Sequence, residues 1–174
     1  MKKGRTHIIL TRHGETEENA LGILQGHMPG TLSLEGVRQI KEIAEKLMLR
    51  RVDAVVSSDL KRSSITAMIV CSAHGIKPIE TVMLRERDWG ELTGLKADIN
   101  DYADDISIET YEHMYIRAGM FLDWLGYTFS NKSIVVVGHG CINQAIMAHV
   151  KGLGPDDISS IPMMGNTEII EFDI

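Results

Sequence analysis

Short runs of consecutive apolar residues alternate along this chain with longer segments in which apolar residues recur every three or four positions. The short runs predict buried strands, and the periodic segments predict helices. The predicted strands cover residues 6–10, 53–57, 76–83, 133–137 and 168–172. The predicted helices begin after Ser33, after Ser58 or Asp59, near Tyr111 and near Cys141. This alternation is typical of an α/β fold, a three-layer α/β/α sandwich with a mostly parallel sheet.

Four segments refine this picture. Residues 168–172 alternate polar and apolar positions, which predicts an antiparallel strand at the edge of the sheet. Pro78 favours an edge position for its strand too, because proline has no amide hydrogen to donate. Residues 14–32 are rich in turn-forming residues and predict a long loop. Residues 84–109 show no period and predict an inserted flap with weak local structure.

Composition limits the class of protein. A chain of 174 residues predicts one domain over residues 1–174, and 44% hydrophobic residues are ordinary for a soluble protein. A net charge of −6 argues against nucleic acid as a partner. Cys71 and Cys141 have no metal-type spacing and are expected to stay reduced, which favours the cytoplasm. The apolar runs are too short for a membrane span or a signal segment, and a homodimer is left open.

Two predicted strands end in similar motifs. Arg12, His13 and Gly14 follow the first strand, and His139 follows the strand at 133–137. Ligands bind outside the carboxyl ends of parallel strands, so we expect the two imidazoles at one edge of the sheet. The predicted strand at 53–57 leads to Arg62, in the first turn of the next helix. Two guanidinium groups, two imidazoles and helix N-termini predict a phosphate pocket.

This set of residues suggests covalent chemistry. A neutral histidine can act as a nucleophile and divide phosphoryl transfer into two easier steps. The arginines and the second histidine would hold the equatorial oxygens of the phosphoryl group. A carboxylic acid would protonate the leaving alkoxide and then activate water for the second step.

Several blocks of the sequence share a pattern with one family. They are Arg12 to Thr16 with Asn19, residues 24–26, 32–39, 57–66 and 84–94, Gly138-His139-Gly140, and residues 165–168. Their identity and order resemble the histidine phosphatase superfamily, also called the phosphoglycerate-mutase-like family. The resemblance covers nearly the whole chain, and it implies the phosphoglycerate-mutase-like version of the predicted fold.

The resemblance also implies roles for individual residues. His13 would be the phosphorylated nucleophile and Glu86 the acid and base. The phosphate pocket would consist of Arg12, Arg62 and His139. Further contacts to a small phosphorylated substrate would come from Asn19, Gln25, Gly26 and Arg87. No metal and no organic cofactor is implied.

The family contains both phosphatases and mutases, and most departures favour a phosphatase. Glu86-Arg87 is mutase-like, but Asp88-Trp89 stands where mutases have His-Tyr. Cys141 occupies a position where mutases have asparagine. The flap lacks the mutases' Arg-Arg pair, and its acids would repel a doubly phosphorylated intermediate. These acids are Asp98, Asp101, Asp104, Asp105 and Glu109. We therefore expect a phosphomonoesterase, with mutase-type transfer as the alternative.

Other interpretations remain open from the sequence. Glu91 could replace Glu86 as the proton donor, and Cys141 at a helix N-terminus could be a thiol nucleophile. His27 could touch the substrate at the pocket mouth. The chain could also be a noncatalytic module that binds phosphorylated ligands, or a metalloenzyme with His13, His139 and Glu86 as ligands. The natural substrate cannot be inferred from the sequence.

Overall fold

The computed structural model describes residues 4–96 and 107–174 and contains a mixed, mostly parallel sheet. The strands are β1 (His7–Arg12), β2 (Ala54–Ser58), β3 (Ile79–Thr81), β4 (Ser133–Gly138) and β5 (Ile169–Asp173). The helices are α1 (Glu17–Leu21), α2 (Leu34–Met48), α3 (Lys61–Ser72), α4 (Tyr111–Thr128) and α5 (Gly140–Lys151). The predicted α/β class is confirmed.

The strand order is β3-β2-β4-β1-β5. β1 pairs in parallel with β4, so that Arg12 lies opposite Gly138, and it pairs antiparallel with β5. β2 lies between β3 and β4 and is parallel to both. The prediction of an antiparallel edge strand near residue 170 is confirmed. The carboxyl ends of β1, β2 and β4 meet at one edge of the sheet.

Alternate strand residues form two cores, one on each face of the sheet. Ile8, Leu10 and Val136 lie in the core that includes residues of α4 and α5, such as Phe121 and Ile142. The intervening strand residues face the other core, which α2 and α3 cover. Its buried members are Ile9, Ile43, Ala44, Leu47, Val55, Ala67, Val70, Cys71, Val135 and Val137. The two helical layers therefore cover a sheet that is apolar on both faces, as its continuous apolar runs predicted.

Three local predictions differ from the structure. The predicted loop at 14–32 contains the short helix α1, which begins with a capping box between Thr16 and Asn19. The predicted strand 76–83 is reduced to β3, because residues 82–84 form a turn of 3₁₀ helix. Neither Ser58 nor Asp59 caps α3, whose N-cap is Leu60 with no side-chain hydrogen bond.

The described part of the predicted flap, residues 84–96 and 107–109, is well packed. Leu84, Trp89 and Leu92 are at most 4% exposed. These residues do not have the weak local structure that the sequence predicted, because their apolar side chains join the core beneath α4 and α5. Four of the predicted acids lie outside the described residues, namely Asp98, Asp101, Asp104 and Asp105.

Within residues 4–96 and 107–174, no helix is both long enough and apolar enough to cross a membrane.

Candidate active site

A small cavity of about 100 Å³ opens at the carboxyl ends of β1 and β2. Its wall is formed by Arg12, His13, Asn19, Ile23, Leu24, Gln25, Arg62, Glu86, Trp89, Cys141 and Met163. Six of these are residues for which the sequence predicted a role as nucleophile, acid or substrate contact, namely Arg12, His13, Asn19, Gln25, Arg62 and Glu86. The fold therefore brings together side chains from positions 12 to 163.

His13 is fixed at the end of β1 by backbone contacts on both sides. Its amide donates to the carbonyl of Gly138 at 3.2 Å, and its ring Nδ1 lies 2.7 Å from the carbonyl of Gly14. A carbonyl only accepts hydrogen bonds, so Nδ1 carries the proton and Nε2 presents a lone pair. Gly14 is needed for this approach, because a Cβ there would come within 2.6 Å of Ile40. The sequence motif thus sets the tautomer of the ring.

Arg62 lies directly against the His13 ring. Its Nε donates to His13 Nε2 at 3.2 Å, and its Nη2 donates to the Gly26 carbonyl at 2.9 Å. The third nitrogen, Nη1, donates to the carbonyl of Met28. Only 1% of Arg62 is exposed, and burial lowers its pKa to about 10. The guanidinium is therefore charged at neutral pH and points at the atom that would attack phosphorus.

His139 and Arg12 complete the anion-binding side of the site. His139 is the N-cap of α5, its ring centroid lies 5.0 Å from that of His13, and its side chain is fully buried behind the cavity wall. Arg12 Nη1 donates to the carbonyl of Met164 at 2.9 Å. Arg12 Nε and both ring nitrogens of His139 are buried without a hydrogen-bond partner among the described residues. A phosphate oxygen is the kind of acceptor that these N–H groups require.

Glu86 lies at the N-terminus of α5. Its Oε1 accepts from the amides of Cys141 at 3.0 Å, Ile142 at 3.3 Å and Arg87 at 2.9 Å. Glu86 is 9% exposed and lines the cavity, whereas Glu91 is exposed on a separate 3₁₀ turn. Of the two acids that the sequence offered as proton donor, the structure places Glu86 at the pocket.

The other predicted contacts divide into two groups. Asn19 and Gln25 line the cavity, and Gln25 Oε1 is buried without a partner in the described part of the chain. Gly26 contributes its carbonyl to Arg62 and adopts a φ of 47°, which favours glycine. His27 does not line this cavity, and its Nε2 lies 3.0 Å from the carbonyl of Glu86. Its observed contact is therefore with the backbone of the predicted acid.

Arg87 is not brought into the cavity. Its guanidinium stacks 4.7 Å from the ring centroid of Trp89 and 4.3 Å from that of Tyr111, and its Nε donates to the carbonyl of Glu109 at 2.7 Å. The predicted substrate contact of Arg87 therefore has no support in this arrangement. Consecutive residues in an extended segment point to opposite sides, so Arg87 faces away where Glu86 faces inward.

Asn166 and Arg117 are two polar residues for which the sequence motifs suggested no specific contact. Asn166 Nδ2 donates to the carbonyl of His13 at 2.9 Å and lies 3.4 Å from Asn19 Oδ1, which links the end of the chain to the pocket. Arg117 contacts the segment that carries Glu86 through the carbonyl of Arg85. Neither contact has a local sequence signal, because each partner lies at least 32 residues away.

Cys141 does not have the environment of a reactive thiol. Burial raises its pKa well above the usual value, and the negative charge of Glu86 acts in the same direction. The sequence suggested that a helix N-terminus would lower this pKa, but Glu86 already accepts from the amides there. The thiol is therefore protonated at neutral pH and packs as a small side chain.

Both imidazoles of the site are held in their neutral form. Burial lowers the pKa of His13 and of His139 well below 6.5, and Arg62 and Arg12 lower both further. A neutral His13 keeps the Nε2 lone pair that nucleophilic attack needs. The same cations oppose a metal ion at these histidines. Within the described residues, no group of three or more His, Cys, Asp or Glu side chains is arranged to hold one.

These lowered pKa values predict a stability that falls in acid. Below about pH 6.5 the unfolded chain protonates both imidazoles whereas the folded chain does not, so each costs about 1.4 kcal/mol per pH unit until its folded pKa is reached. We expect urea unfolding between pH 7.5 and 5.5 to show this loss, with a shallower slope for His139→Asn. His113→Asn, at an exposed position, should keep the wild-type slope. Equal slopes for wild type and His139→Asn would contradict the prediction.

Chemically, the site combines a nucleophile, anion-binding donors and a carboxyl group around one small space. His13, Arg62 and Glu86 all line the cavity of about 100 Å³, and Arg62 Nε contacts the Nε2 lone pair of His13. Such an arrangement suits phosphoryl transfer through a covalent histidine intermediate.

Comparison with known proteins assigns the family. The model of the histidine phosphatase superfamily (branch 1) matches residues 8–174, and the chain belongs to this family. An uncharacterized phosphatase, PhoE, from Bacillus subtilis (strain 168) is 30% identical over 155 residues, which are 87% of this chain and 80% of that protein. A metal-independent phosphoserine phosphatase from Arabidopsis thaliana is 32% identical over 163 residues, 83% of this chain and 68% of that protein.

Solved structures agree on the fold. Bacillus stearothermophilus YhfR matches with a TM-score of 0.88 at 24% sequence identity, covering 95% of this chain and 90% of that one. The predicted family and its phosphatase branch are thereby confirmed by sequence relatives, and the phosphoglycerate-mutase-like fold is confirmed by structural ones.

Proposed function

We propose that this chain is a metal-independent phosphomonoesterase that forms a phosphohistidine at Nε2 of His13. The observation that carries the proposal is the hydrogen bond from Nδ1 of His13 to the Gly14 carbonyl, which leaves the Nε2 lone pair beside Arg62 and facing the cavity. Relatives named as phosphatases, one of them as metal-independent, support the same reaction.

In the first step, Nε2 of His13 attacks phosphorus, the N–P bond forms and the P–O bond to the leaving group breaks. The carboxyl group of Glu86 gives its proton to the departing alkoxide. Arg12 and Arg62 hold the phosphoryl oxygens, and the ring N–H of the neutral His139 donates to one of them. These donors stabilise the charge that shifts during transfer.

In the second step, water attacks phosphorus while the carboxylate of Glu86 accepts its proton. The N–P bond breaks, inorganic phosphate leaves, and neutral His13 and protonated Glu86 are restored. One carboxyl group thus acts first as acid and then as base. Its position at the amides of Cys141 and Ile142 keeps it on the side of the cavity where the leaving group and the water would lie.

The substrate in this proposal is a small monoester with little negative charge outside its phosphate. The other lining residues include four apolar side chains, Ile23, Leu24, Trp89 and Met163. Among the described lining residues, the permanently charged cations are Arg12 and Arg62, and both of them would bind the substrate's own phosphate. His13 is neutral. A second phosphate would therefore lack a cationic partner, which disfavours a bisphosphate intermediate and mutase-type transfer.

We propose that the enzyme works in a reducing compartment, the cytoplasm. Cys71 and Cys141 are both free and buried, and burial raises the pKa of each thiol. Buried thiols that stay protonated are suited to conditions in which disulfides do not form.

The test is hydrolysis of p-nitrophenyl phosphate by purified protein in EDTA, with samples quenched in alkaline denaturant and analysed for phosphate bound to histidine. We expect turnover that EDTA leaves unchanged and a phosphorylated enzyme that is lost in acid and stable in alkali. Binding of phosphate without turnover would indicate a binding module instead. Activity removed by EDTA and restored by zinc would indicate a metalloenzyme, and conversion of 3-phosphoglycerate only with a bisphosphate primer would indicate a mutase.

A further inference from the structure

Arg117 of α4 and Glu109, just before that helix, form an ion pair beside the segment that carries Glu86. The Arg117 and Glu109 side chains are only 20% and 16% exposed. Arg117 Nε and Nη2 donate to Glu109 Oε1 at 3.1 and 2.9 Å, and Nη2 also donates to Oε2 at 2.8 Å. The pair is thus held in a two-pronged geometry that fixes the guanidinium plane.

The pair also binds the backbone on both sides of Glu86. On the N-terminal side, Arg117 Nη1 donates to the carbonyls of Met83 at 2.9 Å and Arg85 at 2.7 Å. On the C-terminal side, Glu109 Oε2 accepts from the Asp88 amide at 3.2 Å, and the Glu109 amide donates to the Asp88 carbonyl at 2.9 Å. Glu86 therefore lies on a short span of chain whose two ends are bound to one ion pair.

The span itself has no regular structure to hold it. It follows the 3₁₀ turn at residues 82–84 and precedes the one at residues 90–92. Within it, the Glu86 carboxyl accepts from the α5 amides, and the Glu86 backbone carbonyl contacts His27. The flanking side chains are also bound, Arg85 to Asp59 and Arg87 to the carbonyl of Glu109. The position of the carboxyl relative to the cavity consequently depends on how both ends of the span are fixed, and the Arg117–Glu109 pair contacts both ends.

We propose that Arg117 and Glu109 are positioning residues for the catalytic acid, and that their ion pair sets the distance of Glu86 from the leaving group. This inference rests on the proposed phosphatase reaction and adds to it residues that do not touch the substrate. Arginine suits this position because its five N–H groups serve two carbonyls and both oxygens of a carboxylate at the same time.

The test compares kcat/KM for p-nitrophenyl phosphate with kcat/KM for an alkyl monoester, 2-glycerophosphate, in one preparation of each variant. This parameter covers the steps up to loss of the leaving group, and only the alkoxide needs a proton. The measured quantity is the ratio of kcat/KM for 2-glycerophosphate to kcat/KM for p-nitrophenyl phosphate. Inactive protein lowers both values equally and therefore does not change this ratio. We expect Arg117→Met to lower the alkyl value on the order of 10²-fold more than the p-nitrophenyl value, the cost of a small misplacement of a catalytic group.

Three further variants sharpen the test. Arg117→Lys keeps the charge and covers the case in which Arg117→Met does not fold, and we expect a smaller change of the ratio in the same direction. Glu109→Gln should change the ratio too. Arg50→Met breaks a remote ion pair with Glu171 and should leave the ratio unchanged. An unchanged ratio in both Arg117 variants overturns the inference.

A double variant separates positioning of Glu86 from any other effect. In a Glu86→Gln background the acid is already absent, so adding Arg117→Met should not change the ratio further. If the ratio falls again by the same factor, Arg117 acts independently of Glu86 and the inference is overturned. Failure of the phosphatase proposal is distinguishable, because wild type would then hydrolyse neither substrate.

Discussion

His13→Ala lowers kcat for p-nitrophenyl phosphate by about 10⁴–10⁶-fold, the range expected when the nucleophile of a covalent mechanism is removed. The reason lies in the Nε2 lone pair, which faces Arg62 and the cavity and has no substitute on the wall. Water would have to attack the bound monoester directly, with Arg12, Arg62, His139 and Glu86 still present to assist. Stopped assays over hours, together with the search for phosphorylated protein, measure the loss.

The control for this variant is a histidine of the same chain that lies outside the site. His113→Ala, at an exposed position on α4, should keep wild-type turnover. His13→Ala should also keep the wild-type circular dichroism spectrum and its binding of inorganic phosphate, because Arg12 and Arg62 remain. If His13→Ala retains even a tenth of the activity with its fold intact, the phosphohistidine at this position is refuted.

Glu86→Gln has the second largest expected effect, and its size depends on the leaving group. We expect kcat/KM for 2-glycerophosphate to fall by about 10²–10⁴-fold, the usual contribution of a general acid, and that for p-nitrophenyl phosphate to fall much less. Glutamine preserves the shape and the carbonyl oxygen that accepts from the Cys141 and Ile142 amides. It removes only the ability to give and take the proton.

Glu91→Gln is the matched control, because Glu91 is the nearby acid on an exposed turn. It should leave both values of kcat/KM unchanged. Equal losses for both substrates in Glu86→Gln would show that Glu86 is not the acid of the first step. A leaving-group-dependent loss in Glu91→Gln instead would transfer the role to that residue.

The sequence predicted the centre of the site better than its surroundings. His13 and His139 follow continuous apolar runs, and parallel strands necessarily bring such residues to one edge. Arg62 and Glu86 came with motifs around them, so their place could be inferred once the family resemblance was recognised. The position of each of these residues could be predicted because the sequence pattern that indicates it lies directly beside it in the chain.

The parts that could not be predicted depend on distant partners. Arg87 belongs to the same sequence motif as Glu86, but its guanidinium stacks on the rings of Trp89 and Tyr111. From the sequence, Arg117 is an ordinary polar residue of a helix. Its function depends on the carbonyl of Met83, which contacts it only in the folded chain. Helix α1 was missed because its five residues have no buried face to produce a period.

Strand β1 lies between β4 and β5, and that topology has a consequence for how the protein is made. His13 receives one backbone contact from Gly138 and another from Asn166, which is 153 residues further along the chain. Synthesis proceeds from the N-terminus, so a chain emerging from the ribosome carries its nucleophile long before either partner exists. Pairing across such separations is slow to form. We therefore expect His13 to take up its fixed position in the site only after β4 and the segment before β5 have docked against β1.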